Sequence, residues 1–569
     1  MTVMPADKPW LKLYDEGVPH HIDYPPIPAH GFVEANAIEH PDRPALIFRG
    51  HMVTYRELND LTDRMAAGLA ALGLGKGDRV CLLMPNLPQF VIAFYGVLKA
   101  GGVVVATNPL YTPGEIAYQV RDAGAKHAIV TSNFYEKFKK AQPDTAIKKV
   151  VVSHVKDYMP GTLRTLFPVL TLIKKDLKEH QVQLRDGDIW MTDLLAKHTA
   201  ADRPKVDVGP ADIAMLQYTG GTTGVSKGAV NSHRALVVNS LQIKSWLPSL
   251  RIGQEVVLMA IPLFHVYGMV AGMSFGMSAA SVLVMVPNPR DMEDLLGNIV
   301  KYRPSIYPGV PSMYNAINVH PRVKSGEVDV TCIRACISGS APLMRETKET
   351  FERLTGASLR EGYGLSEAPT ASHCNPMGGE NRTGSIGIPL PDVECRIVSL
   401  EDGVTDLPAG EEGELVIRSP NLMDGYWQMP TETANSLRDG WLFTGDIARM
   451  DEDGYFYIVD RKKELIKPGG LQVWPREVEE ALTKHPKILE AAAAGVPDAR
   501  RGETVKAWVV LHEGQTATVE EIREFCKQHL APFKVPTQVE FIDALPKTYV
   551  GKILRRELQK RDREKADQA

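Results

Sequence analysis

Cysteine is scarce in this chain, and what there is does not cluster. The six cysteines of 569 residues are Cys81, Cys332, Cys336, Cys374, Cys395 and Cys526, and no two form a C-x-x-C pair. That argues against a zinc site or a disulfide framework and fits a reducing compartment. A basic excess is missing as well. Against 65 Lys+Arg stand 69 Asp+Glu, a formal net charge of −4, which is the wrong sign for a nucleic-acid binder. The opening MTVMPADKPWLKLYDEG has no apolar core and no small-residue cleavage site, so it does not read as a secretory signal, and a cytoplasmic location is expected. Only one long hydrophobic run occurs, over residues 266–286, with Gly268, Gly272 and Gly276 four residues apart. It is long enough on paper to span a bilayer, and the glycine spacing suits close-packed helices. With no second candidate span, a buried helix followed by a strand over residues 281–286 accounts for it better.

What is present is an ordinary globular composition, 44% hydrophobic and 24% charged, in a chain too long for a single core. Residues up to about Ala29 are proline-rich and are expected to drape over the surface. Ala45–Phe48 and Met52–Thr54 read as a hairpin about Arg49-Gly50, and Thr54 with Glu57 forms a capping box. Apolar strands and helices then alternate: 80–84, 88–100, 103–106, a helix from Thr112-Pro113, and 127–131. This predicts a mostly parallel sheet covered on both faces. Residues 156–204 break the rhythm, and within them residues 159–174 are apolar with basic punctuation. Packing on the protein itself is the favoured reading there, and an interfacial contact with membrane the other. The alternation resumes from Ile213 to about Leu359. Short β runs between Gly384 and Tyr457 then read as a β-rich lobe, and a smaller unit follows the charged run Arg461-Lys-Lys-Glu464. The expected architecture is therefore α/β: a large N-terminal domain of layered α/β subdomains with a β-rich lobe, residues 1–460. A small mobile α+β C-terminal domain, residues 461–569, completes it.

Residues 218–228, YTGGTTGVSKG, have the composition of a phosphate-gripping loop. Gly220, Gly221 and Gly224 let backbone N–H groups crowd an anion, Thr219, Thr222 and Thr223 add neutral donors, and Lys227 adds a mobile charge. The spacing matches neither a Walker A loop nor a Rossmann fingerprint. Further constellations follow in order: His265 within the apolar loop IPLFHVYG, and the small-residue turn ISGSAPL around Gly339, Ser340 and Ala341. EGYGLSE carries Glu361, Tyr363, Gly364, Ser366 and Glu367. GWLFTGD ends on Asp446, DRKKELIK carries Arg461, Lys463 and Lys467 with Gly470 beyond, and PKTYVGK ends on Lys552. Taken singly, each has a bland reading: a buried histidine, a core tyrosine, a turn-capping Asp, a solvated charged face.

Together and in this order they resemble the adenylate-forming (AMP-binding) superfamily of acyl-CoA synthetases, aryl-CoA ligases, carrier-protein adenylation domains and beetle luciferases. Within it the chain looks most like bacterial long-chain fatty-acid–CoA ligases, over about Ala35 to Leu558. The resemblance implies two half-reactions: a carboxylate attacks the α-phosphorus of ATP, giving acyl-AMP and pyrophosphate, and the CoA thiol then displaces AMP. It implies that Thr219 to Lys227 hold the β- and γ-phosphates and that Thr219 and Glu367 sit beside Mg²⁺. Gly339, Ser340, Ala341 and Tyr363 would flank adenine, within a nucleotide site that also takes in Glu361, Gly364 and Ser366. Asp446 and Arg461 would bind the ribose, and Lys552 would bridge carboxylate and α-phosphate. His265 would lie near the acyl carboxylate. Lys463 would be the hinge about which the small domain turns, bringing Lys467 and Gly470 to the CoA channel.

For the substrate the implication is a medium- or long-chain fatty acid. Gly364 stands where acetyl-specific relatives have a tryptophan, and so would leave room. Met269 stands where some long-chain relatives have an aromatic gate, so no gating is carried over. Aryl-CoA ligation, acyl-AMP transfer to a carrier protein, and a non-catalytic binding role remain as alternatives. Peripheral contact with the inner face of a membrane is a further expectation.

Overall fold

The computed structural model describes residues 4–173, 181–185, 187–219, 226–468, 471–498, 500–548 and 551–567. The alternating apolar strands build two large sheets. One runs, edge to edge, through Gly425–Tyr426, Lys227–Ser232, Ile213–Thr219, Val103–Ala106, Arg79–Leu83, His127–Thr131, Val150–Ser153 and Ile189–Trp190. From Ile213–Thr219 onward its neighbours are parallel, as continuous apolar runs predict. The antiparallel strand Lys227–Ser232, which sequence reasoning missed, folds back on Ile213–Thr219 so that Thr219 pairs with Lys227. The two described flanks of the phosphate-loop sequence, Thr219 and Lys227, thus lie on paired antiparallel strands. The interrupted region 156–204 returns as the edge strand Ile189–Trp190.

The second sheet has a parallel centre, Val282–Met285, Val256–Met259, Ile306–Gly309, Ala335–Ser338 and Ser358–Leu365, in that order. Pro44–Phe48 joins it parallel to Val282–Met285, and antiparallel strands close both sides: His51–Thr54 on Pro44–Phe48, and Ala368–Cys374 with Ile388–Pro389 at the other edge. The helices Tyr55–Ala71 and Pro88–Lys99 open as their caps predict. Thr54 accepts from the Glu57 N–H while Glu57 accepts from the Thr54 N–H, and Pro88 takes the first helical position. These two helices are also tied by the fully buried Lys99, whose ammonium meets Asp63 at 2.8 Å and Asn59 Oδ1 at 2.7 Å. A five-stranded antiparallel lobe follows, from Glu394–Val398 to Phe456–Arg461, and then a smaller domain. That domain packs the helices Pro475–Thr483 and Val519–His529 with the strands Ile488–Asp498, Gly502–Leu511 and Gln538–Phe541.

Residues 266–286 form a buried π-helical segment Tyr267–Ser274, a turn of helix Phe275–Ser278 and the strand Val282–Met285. Among the described residues no helix is long and apolar enough to cross a membrane. The three glycines serve contact within the protein: a Cβ on Gly272 would lie 3.0 Å from Met259 Sδ and one on Gly276 2.5 Å from Leu283. The proline-rich N-terminal segment does not simply drape. Trp10 is 1% exposed and Val18 8%, both packed into the core of the β-rich lobe. Apolar side chains at irregular spacing gave no periodic signal for that burial.

A Cβ on Gly268 would stand 2.1 Å from the Pro262 carbonyl oxygen, a backbone atom that cannot swing aside. Gly268→Ala is therefore expected to cost ~1–3 kcal/mol. Thermal unfolding followed by circular dichroism reads this as a lowered Tm, and an unchanged Tm would mean that the π-helical turn yields freely.

Candidate active site

A cavity of about 840 Å³ opens between the two large sheets, the β-rich lobe and the small domain. The turn after Ala335–Ser338, the strand Ser358–Leu365 and the hairpin of the β-rich lobe all end on it. Of the sequence-predicted residues, Lys227, His265, Gly339, Ser340, Tyr363, Gly364, Ser366, Glu367, Arg461, Lys463 and Lys552 line it together. Asp446 lies directly behind, 2% exposed, paired across the hairpin with Arg461. Its carboxylate takes the Arg461 Nε–H at 2.8 Å and the Tyr363 hydroxyl at 2.5 Å. Burial raises the Tyr363 phenol well above its ordinary range, with the Asp446 charge adding to it.

Lys552 comes from the small domain, on a turn closed by the Thr548 N–H to Lys552 carbonyl bond at 2.8 Å and by Gly551 at φ +82°. Its ammonium is desolvated, and Arg461 and Lys463 repel it while Glu464 and Asp446 hold it. The net effect lowers its pKa to about 8. Across the cavity His265 is pushed down to about 4 by burial and by Lys552. It is therefore a neutral imidazole, and its Nδ1 accepts the Tyr267 N–H at 3.2 Å. Glu367 accepts the Tyr426 hydroxyl at 2.7 Å, and Lys227 pairs with Glu432 over the face of Tyr426, 5.2 Å from its centroid. Tyr426 and Glu432 were not read from the sequence. They reach the site only because the short strand Gly425–Tyr426 adds to the edge of the first sheet beside Lys227–Ser232.

Other expected residues do not face the cavity. Glu361 is buried beneath it, accepting the Leu343 N–H at 3.4 Å, and burial raises its carboxyl to about 7. Ala341 is not in the wall. Lys467 is exposed outside the cavity, its N–H bound to Glu503 at 2.8 Å. Gly220, Gly221, Thr222, Thr223 and Gly224, and likewise Gly470, lie outside the described residues, as does the side chain of Thr219. The expectation that Gly364 leaves room needs correction. A Cβ there would stand 1.4 Å from the Thr370 carbonyl oxygen. The space is filled by backbone, and glycine is required for that approach. Among the described residues no three His, Cys, Asp or Glu side chains gather as a metal cage. Glu367 instead offers a single carboxylate at the wall, a donor set that suits Mg²⁺ carrying water and phosphate oxygens.

The same cavity has apolar lining residues as well, among them Val266, Ala271, Ile337, Ala371, Leu390 and Trp246. Its cations suit a polyanion and its apolar lining an uncharged hydrocarbon, so the site is that of a two-domain enzyme bringing such partners together. The chain belongs to the AMP-binding enzyme family: the family pattern matches residues 33–427, and that of the AMP-binding enzyme C-terminal domain residues 477–552. It is similar to the long-chain-fatty-acid–CoA ligase of Bacillus subtilis (strain 168), 42% identical with 99% of each chain covered. It is also 33% identical to 4-coumarate–CoA ligase 2 of Nicotiana tabacum, over 96% of each chain. Among solved structures, ATP-bound MatB from Rhodopseudomonas palustris superposes with a TM-score of 0.80 at 30% identity, covering 94% of this chain and 99% of that one. The apo form of the same protein gives 0.69 at the same coverage.

Proposed function

We propose that this protein is an AMP-forming acid–thiol ligase that activates a medium- or long-chain fatty acid with ATP and passes the acyl group to CoA. The observation that carries the reading is Lys552, delivered by the small domain into a cavity lined by further cations and by apolar side chains. Near-full-length similarity to fatty-acid ligases supports the substrate class over the aryl alternative, whose relative is more distant. The better match to ATP-bound than to apo MatB supports a domain arrangement belonging to the first half-reaction.

In that half-reaction a carboxylate oxygen attacks the α-phosphorus and pyrophosphate leaves. Both the attacking and the transferring groups are anionic, so the step needs cations placed in advance more than it needs covalent help. Lys552 spans the two, close to the neutral His265, which adds no charge that would trap the acid. Asp446, held by Arg461 and Tyr363, takes the ribose hydroxyls, and the Tyr363 ring lies against adenine beside Gly339 and Ser340. Lys227 holds the leaving pyrophosphate with residues 219–224. Glu367 would hold Mg²⁺, which supplies charge neutralisation on the phosphates. For the second half-reaction the small domain turns about Lys463, withdrawing Lys552 and carrying Lys467, now outside the cavity, toward the CoA thiol. The thiol adds to the acyl carbonyl carbon and AMP departs. The domain boundary at 460/461 is part of this reading, since Arg461 still pairs with Asp446 while the next residues lead into the small domain.

A second element is peripheral membrane contact. The helix Gly161–Ile173 buries Phe167 but exposes Leu163, Leu166 and Val169 at 40%, 54% and 50%, an apolar strip of the kind that enters a bilayer surface. Replacing Leu163 and Leu166 by Asp is expected to abolish co-flotation with anionic liposomes, and flotation equal to that of the wild type would overturn the contact.

The activity itself is tested by supplying ATP, Mg²⁺, CoA and an acid panel from acetate through palmitate to benzoate. CoA-dependent AMP release with the medium or long aliphatic acids is expected. Release only with aryl acids would move the reading to that class. Acyl-AMP without thioester would favour transfer to a carrier protein, and no AMP with any acid would defeat it.

A further inference from the structure

Among the described residues lining the cavity there is one tryptophan, Trp246. Trp246, at the end of the helix His233–Ser245, lines the cavity yet is only 2% exposed. Its indole N–H donates to the Asn375 carbonyl at 3.1 Å, which fixes the ring plane. Against it packs Tyr14 of the N-terminal segment, which does not itself line the cavity, edge-on to the indole with ring centroids 5.1 Å apart and planes at 88°. The Tyr14 hydroxyl donates to the Pro389 carbonyl at 2.8 Å, immediately before Leu390, another lining residue.

The N-terminal segment is held there by contacts along its length. Lys8 pairs with Glu394 at 2.7 Å, and Asp15 accepts the Gly378 N–H at 2.8 Å. Asp392 accepts from the Ile22 N–H at 3.0 Å and from the Tyr24 hydroxyl at 2.7 Å, and meets His21 Nδ1 at 2.6 Å. Edge-to-face ring contact adds to the burial that already fixes Trp246. A wall so supported does not yield to one more methylene, because close-packed interiors resist added volume.

We propose that Trp246, positioned from behind by Tyr14 of the N-terminal arm, sets the length of the acid this cavity accepts. The inference rests on the reading of the cavity as an acid-activating site. Trp246 meets the distal end of the chain, and Tyr14 acts through it as a positioning residue. A single methylene in a well-fitted apolar pocket discriminates by about tenfold or more, so a shift in the wall reads directly in the chain-length profile.

The test measures kcat and KM of the full chain for saturated acids from hexanoate to docosanoate. Trp246→Ala is expected to move the optimum to longer acids, raising the long-to-short ratio of kcat/KM by about tenfold or more, mainly through KM. Tyr14→Ala should move it in the same direction and by less, while Tyr14→Phe, which keeps the ring edge, should retain the wild-type profile. An unchanged profile in an active Trp246→Ala enzyme overturns the proposal. A profile that moves in Trp246→Ala but not in Tyr14→Ala overturns the role of the arm. Should Trp246→Ala fail to fold, crosslinking of the wild type by an ω-diazirine acid of optimal length decides. Adducts at Trp246 or Leu390 are expected, and adducts confined to the Phe264–Val266 end of the cavity would contradict. If the wild type activates no acid at all, the proposed function has failed rather than this inference.

Discussion

The site depends on keeping a lysine charged where water is scarce. Lys552 enters a cavity whose walls desolvate it and where Arg461 and Lys463 repel it, while Glu464 and Asp446 offset part of that cost. A pKa near 8 means that the ammonium is held with little to spare. That is an advantage for a group that must leave again, since a deeply paired cation would not be withdrawn at each turnover. The buried Asp446 has two ties, Arg461 and Tyr363, and neither is on the part of the small domain that must move. The fixed charges thus precede the Lys463 hinge and the mobile charge lies beyond it.

The two large sheets bring their loop-bearing edges to a common cavity, and the strand pairings explain how distant motifs meet there. Lys227 reaches the wall because its strand returns antiparallel on Ile213–Thr219. Glu367 is oriented by Tyr426 because the short strand Gly425–Tyr426 extends the same sheet. The N-terminal arm packs against the lining residue Trp246 through Tyr14, with Trp10 buried in the β-rich lobe. Polar and apolar lining residues alternate along the same segments, His265 beside Val266 and Ile337 beside Gly339, so the backbone that places the charged groups also places the apolar wall.

Much of this was legible in the sequence where the signal is local. The capping box at Thr54 and the Thr112-Pro113 start open helices as read. Apolar runs became parallel strands, and the glycine-spaced stretch became a buried segment rather than a membrane span. Most motif residues do converge on one cavity, because each sits at a strand end or tight turn facing it. Contacts between residues far apart in sequence were not legible. Nothing near Glu367 announces Tyr426, nothing near Lys227 announces Glu432, and the burial of Trp10 depends on a lobe hundreds of residues away. Gly364 was misread for a related reason: its missing side chain makes way for the Thr370 carbonyl, a neighbour that only the folded backbone reveals.

The central claim is that Lys552 supplies the charge for activation of the acid and for nothing later. The most direct measurement follows the two half-reactions separately against pH, in the wild type and in Lys552→Met. Because the charged form exists below the pKa, kcat/KM for acyl-AMP formation should fall as pH rises through about 8 in the wild type. In the variant it should be lower by about 10²–10³ and lack that limb, while thioester formation from supplied acyl-AMP and CoA continues. A variant that loses both half-reactions equally, or keeps the wild-type limb, would contradict the account.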